Sequence, residues 1–153
     1  MKKRFVYQTK IGNIYITEEK SFITGISYHK PFTPALETET LLIRETYMQI
    51  TEYLSGVRKG FLLPLRQDGT AFQKKIWEAL LQIPYGYTCS YGELAAAVGK
   101  PKAIRAVETA KNKNHIDICI PSHRLVNEAG ILPVHTRNIK VKKFLLELEH
   151  KNV

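Results

Sequence analysis

The chain has 153 residues and a mass of 17.5 kDa, room for one ordinary domain or two small ones and too little for a multidomain enzyme. Its 44% hydrophobic and 24% charged content is that of a folding globular chain and excludes disorder. Lys and Arg outnumber Asp and Glu by 23 to 14, a net charge of +9, so a polyanion is the expected partner and nucleic acid comes first.

Residues 3–29 predict three short strands. KRFVYQT and NIYITEE alternate apolar with polar, Gly12-Asn13 marks the turn between them, and SFITGISYH follows Glu18-Glu19-Lys20. An antiparallel meander is expected. After a loop opened by Phe32-Thr33-Pro34, Ile43, Tyr47, Ile50 and Leu54 recur at helical spacing from about Glu39 to Gly56. This unit of about 60 residues is too small for a stable core of its own and should lean on the second half of the chain. RKGFLLPLRQDG, with two glycines, a proline and no clean period, reads as the linker.

In the second half, Thr70 with Gln73 three residues on forms a capping box for a helix over 71–82, whose stripe is Phe72, Ile76, Trp77 and Leu80. Pro84-Tyr85-Gly86 ends it. Ser90 with Glu93 is a second box opening a short helix to Gly99, and Pro101 should start another over 102–111. Two helices joined by Gly-Lys-Pro are a helix-turn-helix pattern. The segment 99–115 carries Lys100, Lys102, Arg105, Lys111 and Lys113 against a single acid, Glu108. Asp117-Ile118-Cys119-Ile120 predicts a buried strand stopped by Pro121, residues 127–138 a loop, and 139–149 a last helix with Val141, Phe144, Leu145 and Leu148 on one face. The fold class is α+β: a small N-terminal antiparallel sheet plus helix over 1–66, and a mainly helical DNA-binding domain with a helix-turn-helix over 67–153.

Taken alone, Ser122 beside His123 could be a nucleophile with its base. Adjacent residues on extended backbone point to opposite sides, however, and no G-x-S-x-G elbow is present, which argues against a serine hydrolase. The five histidines lack i,i+3 or i,i+4 ligand spacing. Cys89 and Cys119 make neither a disulfide framework nor a C-x-x-C pair, in keeping with a reducing compartment and no structural zinc. The basic start MKKRFVYQTK runs into a polar turn without an apolar signal core, and no apolar run could span a membrane. A cytoplasmic, monomeric protein is expected.

The motifs IPYGYTCSYGELAAAVGKPKA, AIRAVETAKNKN and IPSHRLV, entered by FQKKIWEALLQIPYG and followed by a last helix ending in Leu-Glu, closely resemble the O6-alkylguanine-DNA alkyltransferase family, whose core is Pro-Cys-His-Arg-Val. The meander and first helix resemble that family's smaller domain. The resemblance implies binding in the minor groove of duplex DNA containing O6-alkylguanine and extrusion of that base, with other repair proteins as further partners. Arg105 takes the place of the arginine that fills the stack, and Lys100, Lys102, Lys111, Lys113 and Arg124 are expected at the DNA. Tyr91 matches the tyrosine that hydrogen-bonds the base, and Asn114 the asparagine that supports the turn before the active site. His135 and Thr136 lie in the loop that walls the pocket. His123 and Glu149 match the pair that, with a water, draws a proton from the nucleophile. No cofactor is implied, since DNA is the alkyl donor and protein the acceptor.

The nucleophile's position is Ser122. Displacement at carbon suits a thiolate, and a serine hydroxyl holds its proton far more tightly, so transfer is not expected. Cys119, an odd offset away on a strand, should face the other side and pack. The loop GILPVHTRNIK replaces the family's small, glycine-rich segment with Pro133, Val134, His135, Thr136 and Arg137. The resulting reading is an alkyltransferase-like protein that binds the lesion without accepting the alkyl group. The alternatives are an engineered Cys-to-Ser form of a single-turnover methyltransferase and a helix-turn-helix module without lesion preference.

Overall fold

The computed structural model describes all residues from Met1 to Val153. Two compact units form: Met1–Gln67 with His115–Cys119, and Asp68–Asn114 with Ile120–Val153. No helix is long and apolar enough to cross a membrane.

In the first unit, β1 (Lys3–Thr9), β2 (Gly12–Glu19) and β3 (Phe22–Ser27) form the meander, with β1–β2 and β2–β3 antiparallel and a register shift at Thr17/Glu18. β2 follows its alternation, burying Ile14 and Ile16, whereas β1 buries Arg4 and leaves Val6 42% exposed. A short β4 (Leu36–Glu37), within the span expected to be loop, pairs parallel with β1, giving the order β3-β2-β1-β4. Ile14, Ile16, Ile23 and Ile26 are buried with Ile43, Ile50, Tyr53 and Leu54 of α1 (Leu41–Leu54). Tyr47, expected on the same stripe, stacks on Tyr7 instead, with ring centroids 4.0 Å apart.

Part of the expected linker is bonded to the first unit. Ile23 N donates to Pro64 O and Arg66 N to Ile23 O, at 2.8 and 3.0 Å, so residues 64–66 lie alongside β3. The buried Gln49 amide clips nearby Leu62 to α1: Nε2 donates to Leu62 O at 3.2 Å, and Oε1 accepts from Leu62 N at 2.9 Å. A strand has no partner in its own sequence window, which is why a segment of Gly, Pro and Leu reads as a linker. The strand expected at 117–120 does not form either. Ile116 makes an isolated bridge with Ile26, and Ile118 turns the chain at φ 74, an unusual conformation for a β-branched residue.

In the second unit both capping boxes close. Thr70 and Gln73 start α2 (Ala71–Leu81), and Ser90 and Glu93 start α3 (Tyr91–Ala97), with box distances of 3.0–3.1 Å. Gly99 at φ +81 ends α3 in a double bond pattern, Gly99 N to Ala96 O and Lys100 N to Ala95 O, which glycine reaches without a Cβ clash. α4 (Ile104–Asn112) begins later than Pro101 predicts. Residues 101–102 form a turn, and Ala103 caps without a side-chain bond. Trp77 Nε1 donates to Ala110 O at 2.9 Å, fixing α4 on α2.

A parallel pair that no sequence pattern predicts, β5 (Cys89–Ser90) with β6 (Leu125–Val126), joins the start of α3 to the segment after Ser122–Arg124. α5 (Ile139–Lys151) is rotated from its expected face. It buries Lys142, Leu145 and Glu149, and leaves Phe144 37% exposed.

Gln49→Ala should lower stability by about 1 kcal/mol in urea denaturation, because it removes both hydrogen bonds that hold the Leu62 backbone to α1. An unchanged midpoint would mean that the clip contributes nothing.

Candidate active site and nucleic-acid interface

The second unit gathers the chemistry around one carboxylate. Ser122, His123 and Arg124 form a single 3-10 turn, with Ser122 N donating to Ile120 O at 2.8 Å. Ser122, His123 and Glu149 are each 1% exposed. Glu149, near the C-terminal end of α5, reaches His123 Nε2 at 2.6 Å through Oε2. The same oxygen accepts from Arg124 Nη2 at 2.9 Å, while Oε1 accepts from Arg124 Nε at 2.8 Å and Gly86 N at 3.2 Å. This is a bidentate guanidinium–carboxylate pair with two further donors, an arrangement that favours the ionised acid. A carboxylate on Nε2 requires the proton there, which leaves Nδ1 as the nitrogen of His123 able to accept one.

Arg124 is therefore not at the DNA surface, where the family resemblance leads one to expect it. It is buried, and its remaining Nη1 donates to Ile83 O at 2.7 Å. The geometry makes it the strut of Glu149. Lys111, also expected at the DNA, is likewise turned inward. The residue is 2% exposed, with Nζ 3.0 Å from Leu125 O and 3.2 Å from Tyr91 Oη. Buried ammonium cannot neutralise a phosphate outside. In contrast, Lys100, Lys102, Arg105 and Lys113 are exposed, and α4 presents Arg105 next to the small side chains Ala106 and Thr109.

Tyr91, the first residue of α3, is buried, and burial together with the nearby Glu108 charge pushes its hydroxyl up to about 12. It stays protonated and able to donate at any physiological pH. Asn114 Nδ2 donates to Ile120 O at 3.0 Å, closing the ends of the excursion through residues 115–119. Within the 131–137 loop, the Thr136 hydroxyl is buried without a hydrogen-bond partner, whereas His135 is exposed with Nε2 3.4 Å from Glu108 Oε2. Arg137 Nη1 donates to Asn112 O at 2.6 Å, so the loop is tied to α4 at two points. Cys119 is buried and its thiol is pushed well up by desolvation, as a packing cysteine should be. Cys89 is half-buried and also raised, first by burial and then by Glu93 and Glu128.

One small unit thus carries both an exposed basic helix-turn-helix and a buried His–carboxylate pair. Comparison gives the family. Residues 71–151 match the profile described as 6-O-methylguanine DNA methyltransferase, DNA binding domain. The constitutive methylated-DNA–protein-cysteine methyltransferase of Bacillus subtilis is 38% identical over 151 residues, covering 93% of this chain and 92% of that protein. The Methanosarcina acetivorans methylated-DNA–protein-cysteine methyltransferase is 45% identical over 150 residues, covering 94% and 96%. The crystal structure of Mycobacterium tuberculosis O6-methylguanine methyltransferase matches with a TM-score of 0.91 at 32% identity, over 100% of this chain and 95% of that one. The M. tuberculosis OGT structure in complex with DNA gives 0.90 at 32% identity, over 99% and 94%. The chain belongs to the O6-methylguanine-DNA methyltransferase family of DNA-repair proteins.

Arg124→Ala leaves Glu149 buried without its main counter-charge and should cost about 3–5 kcal/mol in urea denaturation. A variant of unchanged stability that lost DNA affinity would return Arg124 to the interface.

Proposed function

We propose that this chain binds duplex DNA through α3 and α4, takes O6-alkylguanine into a pocket bordered by Tyr91, Ser122 and Thr136, and holds the lesion for other repair proteins without accepting the alkyl group. The observation that carries this reading is a buried serine in the same turn as His123, which Glu149 holds at 2.6 Å. Transfer would form a bond from the nucleophile to the alkyl carbon as the carbon–O6 bond breaks, leaving electrons on guanine. His123 can take a proton through Nδ1, but a serine oxygen must surrender one far more tightly held than a thiol's.

Several features support base binding. Tyr91 keeps its proton and can donate to a ring nitrogen as guanine gains negative charge. The buried Thr136 hydroxyl has an unused hydrogen-bonding capacity that an extruded base would satisfy. Arg105, exposed on α4 among small side chains, can enter the stack where unstacking costs a few kcal/mol, and Lys100, Lys102 and Lys113 can hold phosphates. His135, 65% exposed in the same loop as Thr136, would meet the substrate's outer edge. Asn114 would act through its side-chain amide, whose bond to Ile120 O closes the turn.

The test is intact-mass analysis of Ser122→Cys and of the unaltered chain after incubation with an O6-methylguanine duplex that both are shown to bind. A gain of one methyl group in the Cys form alone is expected. Gain in the unaltered chain would overturn the non-transfer reading; no gain in either would place a second block in the 131–137 loop.

Arg105→Ala should weaken binding to lesion duplex by about tenfold relative to undamaged duplex, whereas Lys100→Ala weakens both equally and lowers the salt slope by about 1. Equal losses for Arg105→Ala on both duplexes would count against extrusion.

A further inference from the structure

Lys111 belongs by sequence to the basic run of α4, yet its charge points inward. Nζ lies 3.0 Å from Leu125 O, 3.2 Å from Tyr91 Oη and 5.3 Å from the centre of the Tyr91 ring. Burying an ammonium is costly, and an apolar chain of the same length would fill this space without that cost. The cation has a directional consequence at the tyrosine. An ammonium has three N–H donors and no lone pair, so in this contact the phenol oxygen accepts. Its single proton is then directed to another acceptor. The second bond holds Nζ in place, because Leu125 is fixed in the β5–β6 pair opposite Cys89, two residues before Tyr91. One side chain thus ties the helix carrying Arg105, the phenol at the start of α3 and the strand leaving the Ser122 turn.

We propose that Lys111 is a positioning residue for lesion recognition: its ammonium makes Tyr91 a hydrogen-bond donor toward the extruded base, and it contributes to discrimination without touching a phosphate. This inference rests on the base-binding reading of Tyr91. It separates two lysines that look equivalent in the sequence, Lys111 acting on the ratio of affinities and Lys100 on affinity itself.

The experiment is fluorescence anisotropy with an O6-methylguanine duplex and its undamaged counterpart, over a salt series, on the wild type, Lys111→Met, Tyr91→Phe, the double variant and Lys100→Ala. Lys111→Met keeps the length and apolar stem of the side chain and should retain a cooperative thermal transition. Its lesion-to-undamaged ratio should fall about tenfold, the scale of one lost hydrogen bond, while undamaged affinity and salt slope stay at the wild-type values. Tyr91→Phe should show the same loss, and the double variant no more than either single one. If Lys111→Met does not fold, Lys111→Ala, which removes the donor by truncation, is measured in its place with the same expected ratio.

A ratio retained in the lysine variant but lost in Tyr91→Phe overturns the inference and leaves the function standing. So does a loss on both duplexes with the salt slope of Lys100→Ala, which would make Lys111 a phosphate contact. A wild type with no preference for the lesion overturns the functional reading, and this inference falls with it.

Discussion

The buried carboxylate of Glu149 is the interaction on which the second unit depends. A carboxylate 1% exposed is tolerable only where donors replace its water, and here four N–H groups do so from two other parts of the chain: Arg124 and His123 in the turn, and Gly86 after α2. α5, the turn and the segment beyond α2 are therefore held to a common point. The second arm of Arg124 extends that hold to Ile83. Pairing of this kind adds little net stability over an apolar core, but removing one partner strands the other, so it specifies an arrangement rather than merely favouring it.

Legibility in the sequence depended on range. The two capping boxes are local bargains between residues three apart, and both helices start where Thr70 and Ser90 place them. The meander was legible because alternation and turn residues lie in one window. The β5–β6 pair was not, since Cys89 and Leu125 are distant in sequence and each strand has two residues, too few for a period. Residues 64–66 are illegible for the same reason. They borrow their hydrogen bonds from β3.

The site was legible as a set of residues and less so as directions. A count of positive charge along 99–115 cannot say which cations face out. The spacing did contain that information for Lys111, which lies four positions beyond Val107 and so shares its buried face. On α5, the apolar stripe lies one position away from the buried face because two of the inward residues, Lys142 and Glu149, are charged. Patterning by hydrophobicity fails wherever a helix buries charge, and helices bury charge where something must be held. Arg124 shows the converse: an arginine between a histidine and a buried leucine is far more constrained than its neighbours in composition suggest.

Retention of His123 and Glu149 beside a serine no longer implies retained chemistry once their contacts are counted. Glu149 carries Arg124 and Gly86 whether or not a proton is ever passed, and His123 supplies one of its donors. Loss of either would leave a buried polar group short of a partner, a cost borne by the fold. Ser122 differs from cysteine by one atom in a buried turn, and the exchange asks nothing of those contacts. Exchange at position 122 thus leaves the contacts of Glu149 in place, whereas exchange of His123 or Glu149 does not. The fold needs both whether or not any group is transferred.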